Sequence, residues 1–236
     1  MLIPLHLVNE KFDDRYFDVV NALDEAQQIY FVHNNLVERV AAAMESNRPF
    51  VIGETGFGAG RIVVALMEHL EKSGLRNAVI EYNSVELHPM SPERMRCILD
   101  GFQDRAGERI DTLVEAYRTM DVTVPGWHAA SIVQPFGTIL LNLWIGEALE
   151  MVEALTGPAD VWFLDGHSPK KNPSIWRPEL LMAIGEKTKS GGTCATFTVS
   201  VAVQRALEAA FFTLRKLPGC GGKKEVLYGV KMCSDP

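Results

Sequence analysis

RPFVIGETGFGAGRIVVALMEHLEKSG, residues 48–74, is the stretch whose reading decides the fold. RPFVIG (48–53) is a short apolar, β-prone run, GETGFGAG (53–60) is a glycine-rich turn, and RIVVALMEHLEKSG (61–74) repeats its apolar residues at helical spacing before Gly74 stops it. A glycine turn between a strand and a helix lets backbone come close to a ligand and aims the helix N-terminus at it. The dinucleotide fingerprint GxGxxG would need a third glycine at the position of Arg61, and the phosphate-loop pattern GxxxxGK[ST] is absent. A nicotinamide-dependent dehydrogenase is therefore disfavoured.

The same alternation runs outward from this unit. NAVIEYNSVE (77–86) predicts a second strand ending on Glu86, and GTILLNLWIGE (137–147) a third, followed by a helix at ALEMVEAL (148–155). DVWFLD (160–165) is a fully apolar run capped by Asp165, as expected of a central strand buried on both faces. A helix near 179–189, a fifth strand at GGTCATFTV (191–199) and a helix at 201–211 follow. In FTLRKLPGCGGKKEVLYGVKM (212–232) two β-prone runs flank PGCGG, a terminal hairpin. Ahead of the first strand, ALDEAQQIYFVHNNLVERVAAAMES (22–46) predicts a leading helical region. This order predicts an α/β fold: a seven-stranded, mostly parallel sheet of methyltransferase type closed by an antiparallel hairpin. Residues 1–236 are expected to form a single domain, with 1–47 as an N-terminal extension and the charged, helix-prone stretch 89–131 as a small inserted lobe.

Composition agrees. Of 236 residues, 47% are hydrophobic and 22% charged, with mean hydropathy +0.03, enough for one substantial core and unlike a disordered tail or a disulfide-stapled mini-protein. Cys97, Cys194, Cys220 and Cys233 form no CxxC pair, so reduced thiols and no metal are expected. The N-terminus MLIPLHLVNEKFDD lacks the pattern of a signal peptide, and no run reaches the roughly 18 apolar residues of a membrane helix. A soluble, cytoplasmic protein with no membrane partner is expected. The net charge of −7 hides an asymmetry: residues 166–236 carry 11 Lys and Arg against 5 Asp and Glu, while 1–165 carry 12 against 25.

The candidate site lies where these strands end. A carboxylate, Glu54, precedes the turn Thr55-Gly56-Phe57-Gly58-Ala59-Gly60, and negative charge suits a cationic ligand better than a pyrophosphate. S-adenosylmethionine, with its sulfonium and ammonium, is such a ligand. Glu86 would accept hydrogen bonds from its ribose hydroxyls, and Glu147, after Gly146, would reach the adenine edge. Polar groups converging at successive strand ends mark a site. The proline-rich loop GHSPKKNPSIWRP (166–178) leaves the same edge, where ligands bind in open α/β sheets.

At this point the chain resembles the methyltransferase module of the MnmC family, bacterial enzymes that modify the tRNA wobble uridine. The matching stretches are FDDRYF (12–17), ETGFGAG (54–60), SVELHP (84–89), VPGWH (124–128), LWIGE (143–147), WFLDGHSPKKNPSIW (162–176), GGTCATFT (191–198) and GCGGKKEVLYG (219–229). The resemblance implies a Rossmann-like class I S-adenosylmethionine-dependent fold in stand-alone form, without the flavin oxidase domain. The implied reaction converts 5-aminomethyl-(2-thio)uridine to its methylaminomethyl form at the wobble position, with the tRNA anticodon stem-loop as partner and a monomeric enzyme. Asn34 matches a family asparagine and would border the cofactor or, in the competing reading, serve at a helix N-terminus. Three departures stand out: GFGAG for the family's GFGTG, Gly146-Glu147 for Gly-Asp, and LDGHSPKKNP for LDGFAPAKNP, which puts His167 and Ser168 beside the expected amine pocket.

Methylating nitrogen requires a free lone pair, which an alkyl ammonium lacks, so the enzyme must bind the neutral amine or remove a proton. Asp165 is the residue expected to hold the amine and accept its proton, directly or through water. Lys170 and Lys171 would contact tRNA phosphates. Trp176 would either stack on a base or anchor its loop to the core, and His167 would line the pocket or accept a proton. Two other functions stay open: methylation of a small-molecule amine, and a catalytically silent cofactor-binding protein.

Overall fold

The computed structural model describes residues 8–9, 14–15, 21–220 and 224–232. A two-stranded antiparallel ladder, β1 (Val8–Asn9) and β2 (Asp14–Arg15), precedes α1 (Ala22–Ala26), a π-helical stretch (Gln27–Val32) and α2 (Leu36–Glu45). The leading helical region is thus broken rather than continuous. Asn35 takes a left-handed conformation, φ 48°, just before α2, a conformation asparagine tolerates better than most residues.

The main sheet comprises β3 (Phe50–Glu54), β4 (Ala78–Glu86), β5 (Gly126–Gln134), β6 (Gly137–Ile145), β7 (Ala159–Leu164), β8 (Thr188–Thr196), β9 (Phe212–Pro218) and β10 (Glu225–Lys231). Their order is β5-β6-β4-β3-β7-β8-β10-β9. The pairs β6·β4, β4·β3, β3·β7 and β7·β8 are parallel, whereas β5 against β6 and β10 against both β8 and β9 are antiparallel. The parallel sheet closed by an antiparallel hairpin is as expected, with an eighth strand added at the edge. That strand, β5, falls partly inside the stretch expected to be an inserted lobe. Only Ile132 of its nine residues is buried, so it carries almost none of the apolar signal by which strands are recognised.

β7 shows why the sheet sits at the centre. All six of its residues are buried, and their alternation sends Val161 and Phe163 to one face and Trp162 and Leu164 to the other. The first face packs under α1, α2, α3 (Arg61–Lys72), α4 (Pro92–Leu99) and α5 (Gln103–Arg118). The second packs under α6 (Ala148–Ala154), α7 (Pro178–Glu186) and α8 (Val201–Ala209). Residues 92–118 therefore contribute Met95, Ile98, Leu99, Ile110, Leu113 and Tyr117 to the core of the sheet's first face. Local chemistry sets the boundaries of these helices: at α4 the Ser91 side chain accepts from the Arg94 amide and Pro92 takes the first turn. Glu68, buried on α3, joins Arg105 of α5, Lys72 and Gln27, locking the leading segment to the helices beside it.

The hairpin tip between β9 and β10 lies partly outside the described residues, as do Lys223, Cys233 and most of FDDRYF. The register is nonetheless clear. Leu227 pairs with Thr196 at the carboxyl end of β8, so the start of β10, with Lys224 before it, lies at the same sheet edge as Asp165.

Candidate functional site

The site is built on the carboxyl ends of β3, β4, β6 and β7. After Glu54 the chain turns back on itself: the Thr55 amide donates to the Phe163 carbonyl at 3.2 Å, and the Thr55 hydroxyl to the Asp165 carbonyl at 2.8 Å. Gly56 sits against that same carbonyl, where a Cβ would come within 3.1 Å. Gly58, φ 56°, and Gly60, φ 74°, supply the left-handed turns that start α3. The turn is thereby fastened to the end of β7.

Glu86 is fixed from two sides. Its Oε2 accepts from the Gly58 amide at 2.9 Å and its Oε1 from the His88 amide at 2.8 Å. Burial pushes its pKa up while these amides pull against the shift. Each oxygen retains acceptor capacity, which is what a pair of ribose hydroxyls requires. The Gly146 amide donates to the Glu86 carbonyl at 3.2 Å, bringing the ends of β4 and β6 together and setting Glu147 beside Glu86 at the start of α6. Glu147 faces Arg177 at 3.7 Å.

Glu54 departs from expectation. Its side chain turns into the sheet, 1% exposed, with Ser84 Oγ donating to Oε2 at 2.6 Å. Burial raises its pKa from 4.5 to about 8, against the opposing Ser84 hydrogen bond. At neutral pH it is mainly a neutral acid, so it offers no exposed charge to a cationic ligand. Of the two roles open to Trp176, the contacts are those of a loop anchor: it is 6% exposed, packs edge-on against Phe197 and donates Nε1–H to the His167 carbonyl at 2.8 Å.

The anchored loop presents His167 and Ser168 half-buried beside Asp165, with Lys170 and Lys171 exposed beyond them. Asn34 is 1% exposed; its Nδ2 donates to the Tyr30 carbonyl at 2.9 Å, while Oδ1 has no hydrogen-bond partner among the described residues. Asp165 is 18% exposed, its Oδ1 accepting from the Gly166 amide at 2.9 Å.

Two residues at the site carry no motif. Arg61 donates Nη2–H to Asp165 Oδ2 at 2.9 Å and Nη1–H to the Ala22 carbonyl at 2.7 Å. Burial opposes its charge, yet the carboxylate beside it holds its pKa above the ordinary value. Tyr30 lies in the same buried region, its phenol pushed well up by burial and then by the Asp165 charge. A signal for Arg61 does exist in the sequence. A cation in the first turn of a helix is opposed by the helix dipole and implies a carboxylate nearby.

An open α/β sheet with a glycine turn after its first parallel strand and acceptors at the next strand ends is the Rossmann-like methyltransferase architecture. A family model described as S-adenosyl-L-methionine-dependent methyltransferase matches residues 112–232, just over half of the chain. The chain belongs to this family of S-adenosyl-L-methionine-dependent methyltransferases. Over 218 residues, 92% of its length, it is 38% identical to a tRNA 5-methylaminomethyl-2-thiouridine biosynthesis bifunctional protein MnmC of Pseudomonas fluorescens. It is 36% identical over 216 residues to the protein so named in Caulobacter vibrioides. The chain spans about a third of the length of these relatives, 32% and 35% respectively. The crystal structure of MNMC2 from Aquifex aeolicus shares the fold, with TM-score 0.71 over 97% of this chain and 67% of that one at 20% identity.

Among the described residues no helix is long and apolar enough to cross a membrane, and no cluster of three His, Cys, Asp or Glu side chains could hold a metal ion.

Proposed function

We propose that this methyltransferase acts on the primary amine of 5-aminomethyl-(2-thio)uridine at the wobble position of tRNA. The observation that carries the reading is the junction of Asp165 with the glycine turn, where the Thr55 hydroxyl holds the Asp165 backbone at 2.8 Å. A carboxylate fixed at the lip of a cofactor turn can hold an amine in line with a methyl donor. The similarity of 92% of the chain to proteins named for this thiouridine chemistry supports the choice of substrate.

The residues present fit S-adenosylmethionine. The turn from Thr55 to Gly60 offers close backbone, Glu86 offers two preset acceptor oxygens, and the unpartnered Asn34 Oδ1 is a further buried acceptor. Gly146 and Glu147 would hold the adenine end. When bound, the cofactor supplies a methyl carbon that leaves its sulfonium as the amine lone pair forms the new N–C bond, the electron pair going to sulfur. Asp165 accepts a hydrogen bond from the amine and so aims its lone pair. The proton leaves for water. His167 and Ser168 shape the amine pocket, and Lys170 and Lys171 meet the RNA backbone.

Incubation with methyl-labelled cofactor and bulk tRNA from cells lacking the corresponding methyltransferase, followed by nucleoside analysis, tests the reading. Label should appear in the methylaminomethyl nucleoside. Asp165→Asn should keep cofactor affinity and lower turnover by about 100-fold, the scale of a reacting group that is no longer held in line. Label confined to a small-molecule amine would refute the proposed substrate.

A further inference from the structure

A carboxylate beside an alkylamine creates a conflict. It orients the amine, but it also stabilises the ammonium, which has no lone pair to give. Arg61 resolves that conflict. It is the first residue of α3, and its guanidinium is fixed between the Ala22 carbonyl at 2.7 Å and Asp165 Oδ2 at 2.9 Å. The side chains are 12% and 18% exposed, so solvent screens the pair only partly. Asp165 Oδ1 is held separately by the Gly166 amide, and each carboxylate oxygen keeps capacity for a further donor.

We propose that Arg61 is a positioning residue that fixes the Asp165 carboxylate and offsets its charge, so that the bound amine is oriented yet stays neutral and nucleophilic. This rests on the assignment of Asp165 to the substrate amine. Four other titratable groups face the pair: Glu25 from α1, Tyr30 from the π-helical stretch, Glu54 from β3 and Tyr82 from β4. Burial keeps both phenols protonated and raises Glu54 to about 8, so the phenols add no negative charge beside the pair and Glu54 adds it only above that pH, in native and variant enzymes alike. Arg61, by contrast, is a cation in direct contact with Asp165.

The sign of the effect follows. Methyl transfer needs the neutral amine, and an unbalanced carboxylate raises the amine's pKa. Loss of the guanidinium charge therefore moves the acidic limb of the pH–rate profile to higher pH, by about one to two units for a charge removed roughly 6 Å away at intermediate dielectric. The test measures kcat at saturating tRNA and methyl donor, which reports ionisations in the bound complex, from pH 6 to pH 10 (about four units spanning the limb), for the native enzyme, Arg61→Gln and Arg61→Lys. Arg61→Gln should bind S-adenosylmethionine normally by calorimetry, and its rate relative to native should climb about tenfold or more as pH rises through the limb. Arg61→Lys, which keeps the charge, should leave the limb in place. A rate lowered by the same factor at every pH marks a merely structural residue and overturns the proposal. If Arg61→Gln does not fold, a displaced limb in Arg61→Lys overturns it just as well. Native turnover in Asp165→Asn would instead remove the Asp165 assignment on which the proposal stands.

Discussion

Glu54→Gln should stabilise the protein, and increasingly so as pH rises. Glu54 is 1% exposed and lies against Ser84 and the phenol of Tyr82, so its carboxyl is held as the neutral acid. Its pKa rises from 4.5 in the open chain to about 8 in the folded one. Between those values the unfolded chain has released a proton that the folded protein still holds, so stability falls with rising pH. The group's contribution is complete below pH 4.5 and is lost as pH passes about 8. At ~1.4 kcal/mol per unit, a shift of about 3.5 units corresponds to a loss of roughly 5 kcal/mol. Glutamine has the same shape, can accept from Ser84 and never ionises. Urea unfolding of native and variant proteins side by side cancels every other titration. The two should agree within about 1 kcal/mol near pH 5, the scale of one altered hydrogen bond. Near pH 9 the variant should lead by at least about 2 kcal/mol, allowing for relaxation around a buried charge. A difference that does not change with pH would refute the argument that Glu54 is buried as an acid.

Three further outcomes follow from the site. Gly58→Val places a β-branched residue at φ 56° beside the Glu86 carboxylate, and calorimetry should find cofactor affinity lost by at least about tenfold. Replacing both Lys170 and Lys171 with glutamate should weaken tRNA binding and flatten its salt dependence by about two units of log–log slope; an unaltered slope would take the loop out of the interface. Trp176→Phe removes the hydrogen bond to the His167 carbonyl but keeps an aromatic anchor, so it should cost about 1 kcal/mol in thermal or urea unfolding and leave tRNA affinity intact.

The parts of this fold that were legible in the sequence are those written in local pattern. β3, the glycine turn and α3 announce themselves through apolar spacing and glycine, and β7 through an unbroken apolar run. What could not be read depends on pairings across the sheet. Glu54 looks like a turn carboxylate until its neighbours in register, Ser84 on β4 and Phe163 on β7, show that it faces the interior. Arg61 and Asp165 are 104 residues apart, and only the parallel pairing of β3 with β7 brings the start of α3 to the end of β7. β5 was hidden because a one-sided edge strand with a single buried residue does not alternate strongly enough to register.

The basic character of residues 166–236 looks different once its charges are placed. Lys189 pairs with Asp160 at 2.7 Å, at the start of β8 and so at the edge away from Asp165. Lys187 donates to the Leu155 carbonyl and Lys231 to the Ala210 carbonyl, and these likewise belong to that far edge. Arg177 is shared with Glu147, and Lys216 with Glu225. Several of the region's 11 cations are therefore structural, and the sequence total overstates the charge available to RNA. Lys170 and Lys171 on the loop after β7 and Lys224 at the hairpin tip are exposed at the edge of Asp165. His33 approaches that tip as well, its Nε2 lying 3.1 Å from the Pro218 carbonyl, so the leading segment borders the same edge. A phosphate backbone laid along this edge would pass over the proposed amine site. That geometry makes a few placed lysines, rather than net charge, the basis of the proposed recognition of RNA by an acidic protein.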